Sequence, residues 1–79
     1  MYIDVITPES TLFSADAKSV QLPGSDGWFG ILDRHAPIIS TLKKGSIKII
    51  DANNQTVLID VKSGVVEMNN NKLIILAEQ

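Results

Sequence analysis

Ser46-Ile47-Lys48-Ile49-Ile50, then Asp51-Ala52-Asn53-Asn54, then Thr56-Val57-Leu58-Ile59-Asp60-Val61, is the stretch that decides the fold class. Ile47 and Ile49 fall on one face of the first run, and Val57, Ile59 and Val61 alternate with Leu58 and Asp60 in the second. This period of two belongs to a pleated strand. The Asp/Asn-rich link between them is turn chemistry, so the stretch reads as a β-hairpin. The same pattern extends outward. Eleven Ile, six Val and four Thr make 21 of the 79 residues, and β-branched side chains suit a pleated surface better than a helix. Apolar positions come in short blocks separated by turn formers, and no long block follows a helical period.

Upstream, strands are expected at Tyr2 to Thr7, Thr11 to Ser14, Lys18 to Leu22 and Trp28 to Leu32. They are separated by Pro8-Glu9-Ser10, by the link after Ser14, and by a turn over Pro23-Gly24-Ser25-Asp26-Gly27. Gly30, inside the fourth of these, suggests a bulge or a close backbone approach. After a bend at Asp33-Arg34-His35-Ala36-Pro37 comes a strand over Ile38 to Leu42, and Lys43-Lys44-Gly45 leads into the opening hairpin. Downstream, Gly64 to Met68 and Lys72 to Ala77 flank a turn at Asn69-Asn70-Asn71. Nine or ten short strands predict an all-β fold: a sandwich of two sheets of about five short strands each, mostly antiparallel. Residues 1–79 are expected to form one domain. Ile49-Ile50, Val65-Val66 and Leu73 to Leu76 are apolar on both faces of their strands. Either the sheets close tightly on each other, or one outer face meets a partner.

Composition excludes several function classes. The chain has no Cys and one His, which removes disulfide frameworks, thiolate zinc sites, cysteine nucleophiles and multi-histidine metal clusters. Seven Lys+Arg against nine Asp+Glu, a net charge of −2, gives no basic field for a phosphate backbone, so nucleic acid is not an expected partner. Apolar runs are far shorter than the roughly 20 residues of a membrane span. The start of the chain lacks a basic n-region and carries Asp4 within its apolar stretch, unlike a secretory signal. A soluble domain in a reducing, cytoplasmic setting is expected. A core this small gains from a partner surface, since disulfide and metal staples are missing.

Pro23 to Pro37 concentrates the unusual residues: three of the five Gly, the single Trp, the single His, the single Arg and two of the three Pro. His35 with Asp33 or Asp26 could form a general base and its orienting carboxylate, the arrangement of a small hydrolase. No nucleophile elbow or metalloprotease motif accompanies it, and a structural or partner-contacting histidine is the simpler reading. The Gly24 to Gly30 glycines precede a strand, not a helix, and lack the Lys-Ser/Thr of a phosphate loop. Lys43-Lys44-Gly45 at a hairpin tip suggests a lipoyl- or biotinyl-like carrier domain with a modified lysine, although Leu42 and Gly45 are not the flanks of such an acceptor. Trp28, directly after Gly27, is the candidate exposed aromatic. Phe29, beside Gly30 and Ile31, is the candidate core residue.

The run Pro23-Gly24-Ser25-Asp26-Gly27-Trp28-Phe29-Gly30-Ile31-Leu32-Asp33-Arg34-His35-Ala36-Pro37, with Ile38 to Leu42 and Lys43-Lys44-Gly45 after it, resembles the signature of the epsilon subunit of the F-type ATP synthase. The family pattern is Pro-Gly-x-x-Gly-x-x-Gly-Ile-Leu-x-x-His-Ala-Pro, an aliphatic strand, then Leu-Lys-x-Gly. Asp4 to Glu9, Leu12-Phe13-Ser14, Ser63 to Met68 and Leu73 to Ala77 resemble other parts of the family's sandwich domain, in order and without large gaps. The resemblance implies a non-catalytic rotor subunit of the central stalk, without cofactor, catalytic residue or metal. It would bind the gamma subunit and the membrane ring of c subunits and couple proton or sodium flow to ATP synthesis. It would lie at the cytoplasmic face of the bacterial inner membrane, held there through the complex. Carried over residue by residue, the turn Ser25, Asp26, Gly27, Trp28 would face the c-ring. The bend and strand with His35, Ala36, Pro37, Ile39 and Thr41 would lie towards gamma. Trp28 stands where many members have an acidic residue, and Ser63-Gly64 where many have Gly-Gly. Family members usually continue into a two-helix C-terminal domain that can inhibit ATP hydrolysis. The sequence ends at Gln79, so that helical hairpin and its roles are not expected of these residues.

Overall fold

β2 carries the architecture. In a computed structural model describing Met1–Gln79, it runs unbroken over Thr11–Gly24, 14 residues, and belongs to both layers. Its first half pairs antiparallel with β1 (Tyr2–Ile6), from Tyr2↔Asp16 to Ile6↔Thr11. Its second half pairs with β3 (Gly27–Leu32), Ser19↔Leu32 to Gly24↔Gly27, and with β5 (Gly45–Asp51) on the opposite edge. Between Ala17 and Ser19 the register with β5 shifts. A bulge of this kind bends a strand and lets it pass from one sheet to the other. Two strands were expected here. No Gly or Pro interrupts Thr11 to Leu22, and without a turn former the chain bends through a bulge and continues.

The first sheet runs β2, β1, β8 (Lys72–Glu78), β7 (Ser63–Asn69), β4 (Ile38–Leu42), and the second β3, β2, β5, β6 (Thr56–Val61). β1 and β8 form the one parallel pair; the other pairings are antiparallel. Eight strands thus build the expected all-β sandwich, with five positions in one sheet and four in the other because β2 counts twice. Leu42 closes the layers, pairing with Gly64 of β7 and with Gly24 of β2.

Seventeen buried apolar residues fill the space between the sheets. Ile3, Val5, Val66, Met68, Leu73 and Ile75 of the first sheet face Val20, Leu22, Ile31, Ile47 and Ile49 of the second, each at most 1 % exposed. Burying such a side chain contributes about 1.5–3 kcal/mol, and no buried side-chain polar atom lacks a hydrogen-bond partner. The hairpin turns obey local chemistry. Asn70 and Asn71 both adopt positive φ, 51° and 59°, which suits the two-residue link between β7 and β8.

Two details differ from expectation. Pro23 and Gly24 are not in the turn: they extend β2 and pair with Trp28 and Gly27, leaving Ser25-Asp26 as the whole loop. Gly30 forms no bulge; it pairs in register with Gln21, and a Cβ there would lie 3.7 Å from the Val20 carbonyl oxygen, an ordinary contact. Ser63, the departure from Gly-Gly, pairs with Glu78 without positive φ.

Candidate interface at the two ends and outer face of the sandwich

The β2–β3 hairpin is built around Gly24. A Cβ on Gly24 would come within 2.5 Å of the Gly27 carbonyl oxygen and 2.7 Å of the Phe29 ring, so only glycine admits this close return. Gly27 follows with φ +128°, and Ser25-Asp26 projects from the end of the sandwich. β4 pins this projection: the Ser25 N–H donates to the Thr41 carbonyl at 3.0 Å, and the Lys43 N–H to the Pro23 carbonyl at 2.8 Å. Their hydroxyls, Ser25 Oγ and Thr41 Oγ1, are also 2.7 Å apart. Trp28 leans over Pro23 and Gly45, the Gly45 Cβ position lying 3.6 Å from its ring and 2.8 Å from Pro23. The indole remains 60 % exposed, whereas Phe29 is partly buried against the core.

The other end is formed by the β3–β4 bend. Asp33 accepts hydrogen bonds from the Met1 ammonium and from Asn71 Nδ2 at 3.0 Å. The ammonium contact first, and the Asn71 bond after it, holds the Asp33 carboxyl below the usual carboxylate range. Arg34 takes positive φ, 65°, and its N–H donates to Asn71 Oδ1 at 2.7 Å. The β7–β8 turn and the chain start therefore fix this bend. His35 follows, exposed, with Nδ1 2.7 Å from the Ala36 carbonyl oxygen and its backbone N–H donating to Leu32.

This geometry weighs against a general-base pair. Asp33, the nearer proposed orienting group, is committed to Met1 and Asn71, and Asp26 lies in the turn at the opposite end of the sandwich. Lys43 and Lys44 are exposed in the short β4–β5 loop.

The nine interface candidates do not form two separate patches. Ser25, Asp26, Gly27 and Trp28 share one end. His35, Ala36 and Pro37 occupy the other, while Ile39 and Thr41 run back along β4, so that Thr41 reaches Ser25. All but the half-buried Gly27 are exposed, Ile39 most conspicuously at 72 %. Beside Ile39 on the outer face stand residues outside the candidate set: Val65, Glu67, Leu76 and the half-buried Ile6 and Ile74. The doubly apolar strands Val65-Val66 and Leu73 to Leu76 are the sequence signal for Val65, Ile74 and Leu76; Ile6 and Glu67 have none.

Fold and surface together define a small two-layer β-sandwich domain with one extensively apolar outer face. Residues 1–79 match the family described as "ATP synthase, Delta/Epsilon chain, beta-sandwich domain", and the chain belongs to that family. Among its relatives, the "ATP synthase epsilon chain" of Campylobacter curvus is 40% identical over 78 residues, covering 99% of this chain and 60% of that protein. The protein of the same description from Campylobacter fetus is 42% identical over 80 residues, with coverage of 99% and 60%. The chain thus spans about three fifths of the length of these relatives. In fold it is similar to a chain of the Tetrahymena thermophila mitochondrial ATP synthase central stalk and c-ring, with a TM-score of 0.83 at 16% identity, covering 100% of this chain and 63% of that one. A chain of the Euglena gracilis mitochondrial ATP synthase gives a TM-score of 0.87 at 11% identity, covering 98% and 49%.

Proposed function

We propose that this domain is a non-catalytic part of the rotor of an F-type ATP synthase, docking on the gamma subunit and the c-ring and coupling ion-driven rotation to ATP synthesis. The observation that carries the reading is the rigid β2–β3 hairpin, tied to β4 by the Ser25 and Lys43 backbone bonds, within a chain of the delta/epsilon family. Torque can pass only through contacts that do not yield, and a turn fixed by glycine packing and cross-sheet hydrogen bonds meets that need. In this reading Ser25, Asp26, Gly27 and Trp28 meet the c-ring. His35, Ala36, Pro37, Ile39 and Thr41 meet gamma. The domain then lies at the cytoplasmic face of a bacterial plasma membrane, attached through its partners. Trp28 would supply an apolar or stacking contact, with Asp26 beside it for polar groups of the ring.

The test is co-purification of the chain with the gamma subunit from the same source, expressed together. Recovery of a stoichiometric pair supports the reading. Failure of gamma to bind under native conditions overturns it.

A further inference from the structure

The β3–β4 bend that carries His35, Ala36 and Pro37 is held by little backbone bonding. Within residues 33–37 one backbone N–H reaches a backbone carbonyl, His35 to Leu32 at 3.2 Å. These residues are all exposed, so burial does not set their path. Arg34 also takes φ 65°, a left-handed conformation that a residue with a Cβ keeps only where its surroundings impose it.

The side chain of Asn71, 37 residues further along the chain in the β7–β8 turn, imposes it. Asn71 Oδ1 accepts the Arg34 N–H at 2.7 Å, and Asn71 Nδ2 donates to Asp33 Oδ1 at 3.0 Å. Together the two bonds fix the orientation of the amide. Turned over, it would set Nδ2 against the Arg34 N–H and Oδ1 against the Asp33 carboxylate. Asn71 is itself held, because its carbonyl accepts the Tyr2 N–H at 3.2 Å and the pair Asn69↔Lys72 closes β7 on β8. A carboxamide on a fixed hairpin thus gives the bend the donor and acceptor that a neighbouring strand gives a ladder. Asn70 shares the left-handed conformation, φ 51°, but both side-chain bonds from this turn to the bend come from Asn71.

We infer that Asn71 is a positioning residue for gamma docking: its carboxamide holds the bend in the shape that presents His35, Ala36 and Pro37 to the gamma subunit. The inference rests on the stalk reading and adds the residue that readies this contact. A bend ordered before encounter loses less conformational entropy on binding. Without the Asn71 side chain that ordering falls due at docking, and affinity drops by its cost. The bend is exposed and lies outside the core, so the loss shows in binding more than in folding.

The experiment compares wild type with Asn71→Gly and Asn71→Asp, and uses Asn70→Gly as the control. Glycine accepts positive φ freely, so Asn71→Gly deletes the carboxamide and keeps the turn. Aspartate also tolerates it, retains an acceptor for the Arg34 N–H and sets a carboxylate against Asp33. Melting temperature, hydrogen exchange of the Arg34 amide by NMR, and the Kd for the gamma subunit by calorimetry are measured for each. All variants should melt close to wild type. In Asn71→Gly the Arg34 amide should exchange about tenfold faster. The Kd should rise about three- to tenfold in both Asn71 variants, while Asn70→Gly changes neither quantity. An unchanged Kd in both Asn71 variants overturns this inference and leaves the stalk reading standing. Equal weakening by Asn70→Gly, or an Arg34 amide that exchanges as fast in wild type as in Asn71→Gly, also overturns it alone. A wild-type chain that does not bind gamma overturns both.

Discussion

The hydroxyls of Ser25 and Thr41 meet at 2.7 Å, and the Ser25 N–H donates to the Thr41 carbonyl at 3.0 Å. Although the two residues are 16 apart in the chain, a turn and a strand from different sheets thus share one surface at one end of the sandwich. A contact made by the turn is therefore felt by β4. Thr41→Val keeps the shape and the backbone bond but deletes the hydroxyl. Because the pair is exposed, the expected stability loss is small, at most about 1 kcal/mol, measured by urea unfolding.

The glycines should rank by what their missing Cβ would strike. Gly24→Ala drives a methyl into the Gly27 carbonyl and the Phe29 ring, at 2.5 and 2.7 Å. It should destabilise by about 2 kcal/mol or more, within the range of severe single substitutions. Gly64→Ala, with the Leu76 carbonyl oxygen at 2.9 Å, should also destabilise. Gly30→Ala meets nothing nearer than 3.7 Å and should be neutral, or stabilise by up to about 1 kcal/mol through the unfolded chain. Thermal melts of the three variants give the order directly.

Acid should loosen the His35 end. The Met1 ammonium and Asn71 lower the Asp33 carboxyl from its ordinary value of 3.8, so the unfolded chain binds the Asp33 proton more readily than the folded one. The stabilising contribution of Asp33 is therefore fully present above pH 3.8 and is lost as pH falls through the lower folded-state value. Asp33→Asn should be less stable than wild type at neutral pH, and the difference should shrink in strong acid. Melting temperatures of both proteins across that range check the sign.

Trp28 packs on Pro23 and Gly45 yet is 60 % exposed. Trp28→Ala should therefore leave the domain folded, costing at most about 2 kcal/mol for the covered part of the ring. Asp26→Lys, in the exposed turn, should leave stability nearly unchanged. Both should lower ATP synthesis driven by an ion gradient in vesicles carrying the assembled complex. Synthesis at the wild-type level in both variants would contradict the ring-facing role of this turn.

Much of this was legible in the residues, for identifiable reasons. Strict alternation in Ser46 to Val61 determined which side chains face the core, and Ile47, Ile49 and Ile59 are indeed buried. Trp28 after Gly27 was readable as exposed because a turn leaves its far side open. The continuity of β2 was not legible, because a bulge at Ala17 carries no composition signal of the kind that Gly or Pro gives to a turn. Nor was the commitment of Asp33, which depends on Met1 and Asn71, residues distant in the chain and joined only by the fold. The spread of the gamma-facing candidates along β4 follows from the same cause. Sequence order placed His35 and Thr41 near each other, while an extended strand holds them at opposite ends of the sandwich.

The most direct test of the rotor assignment is reconstitution. ATP synthase membranes stripped of their epsilon subunit are supplied with this chain, and ATP synthesis driven by an imposed ion gradient is measured. The account predicts stoichiometric rebinding and recovery of gradient-driven synthesis, weakened in Trp28→Ala. No rebinding, with synthesis remaining at the level of the depleted membranes, would contradict it.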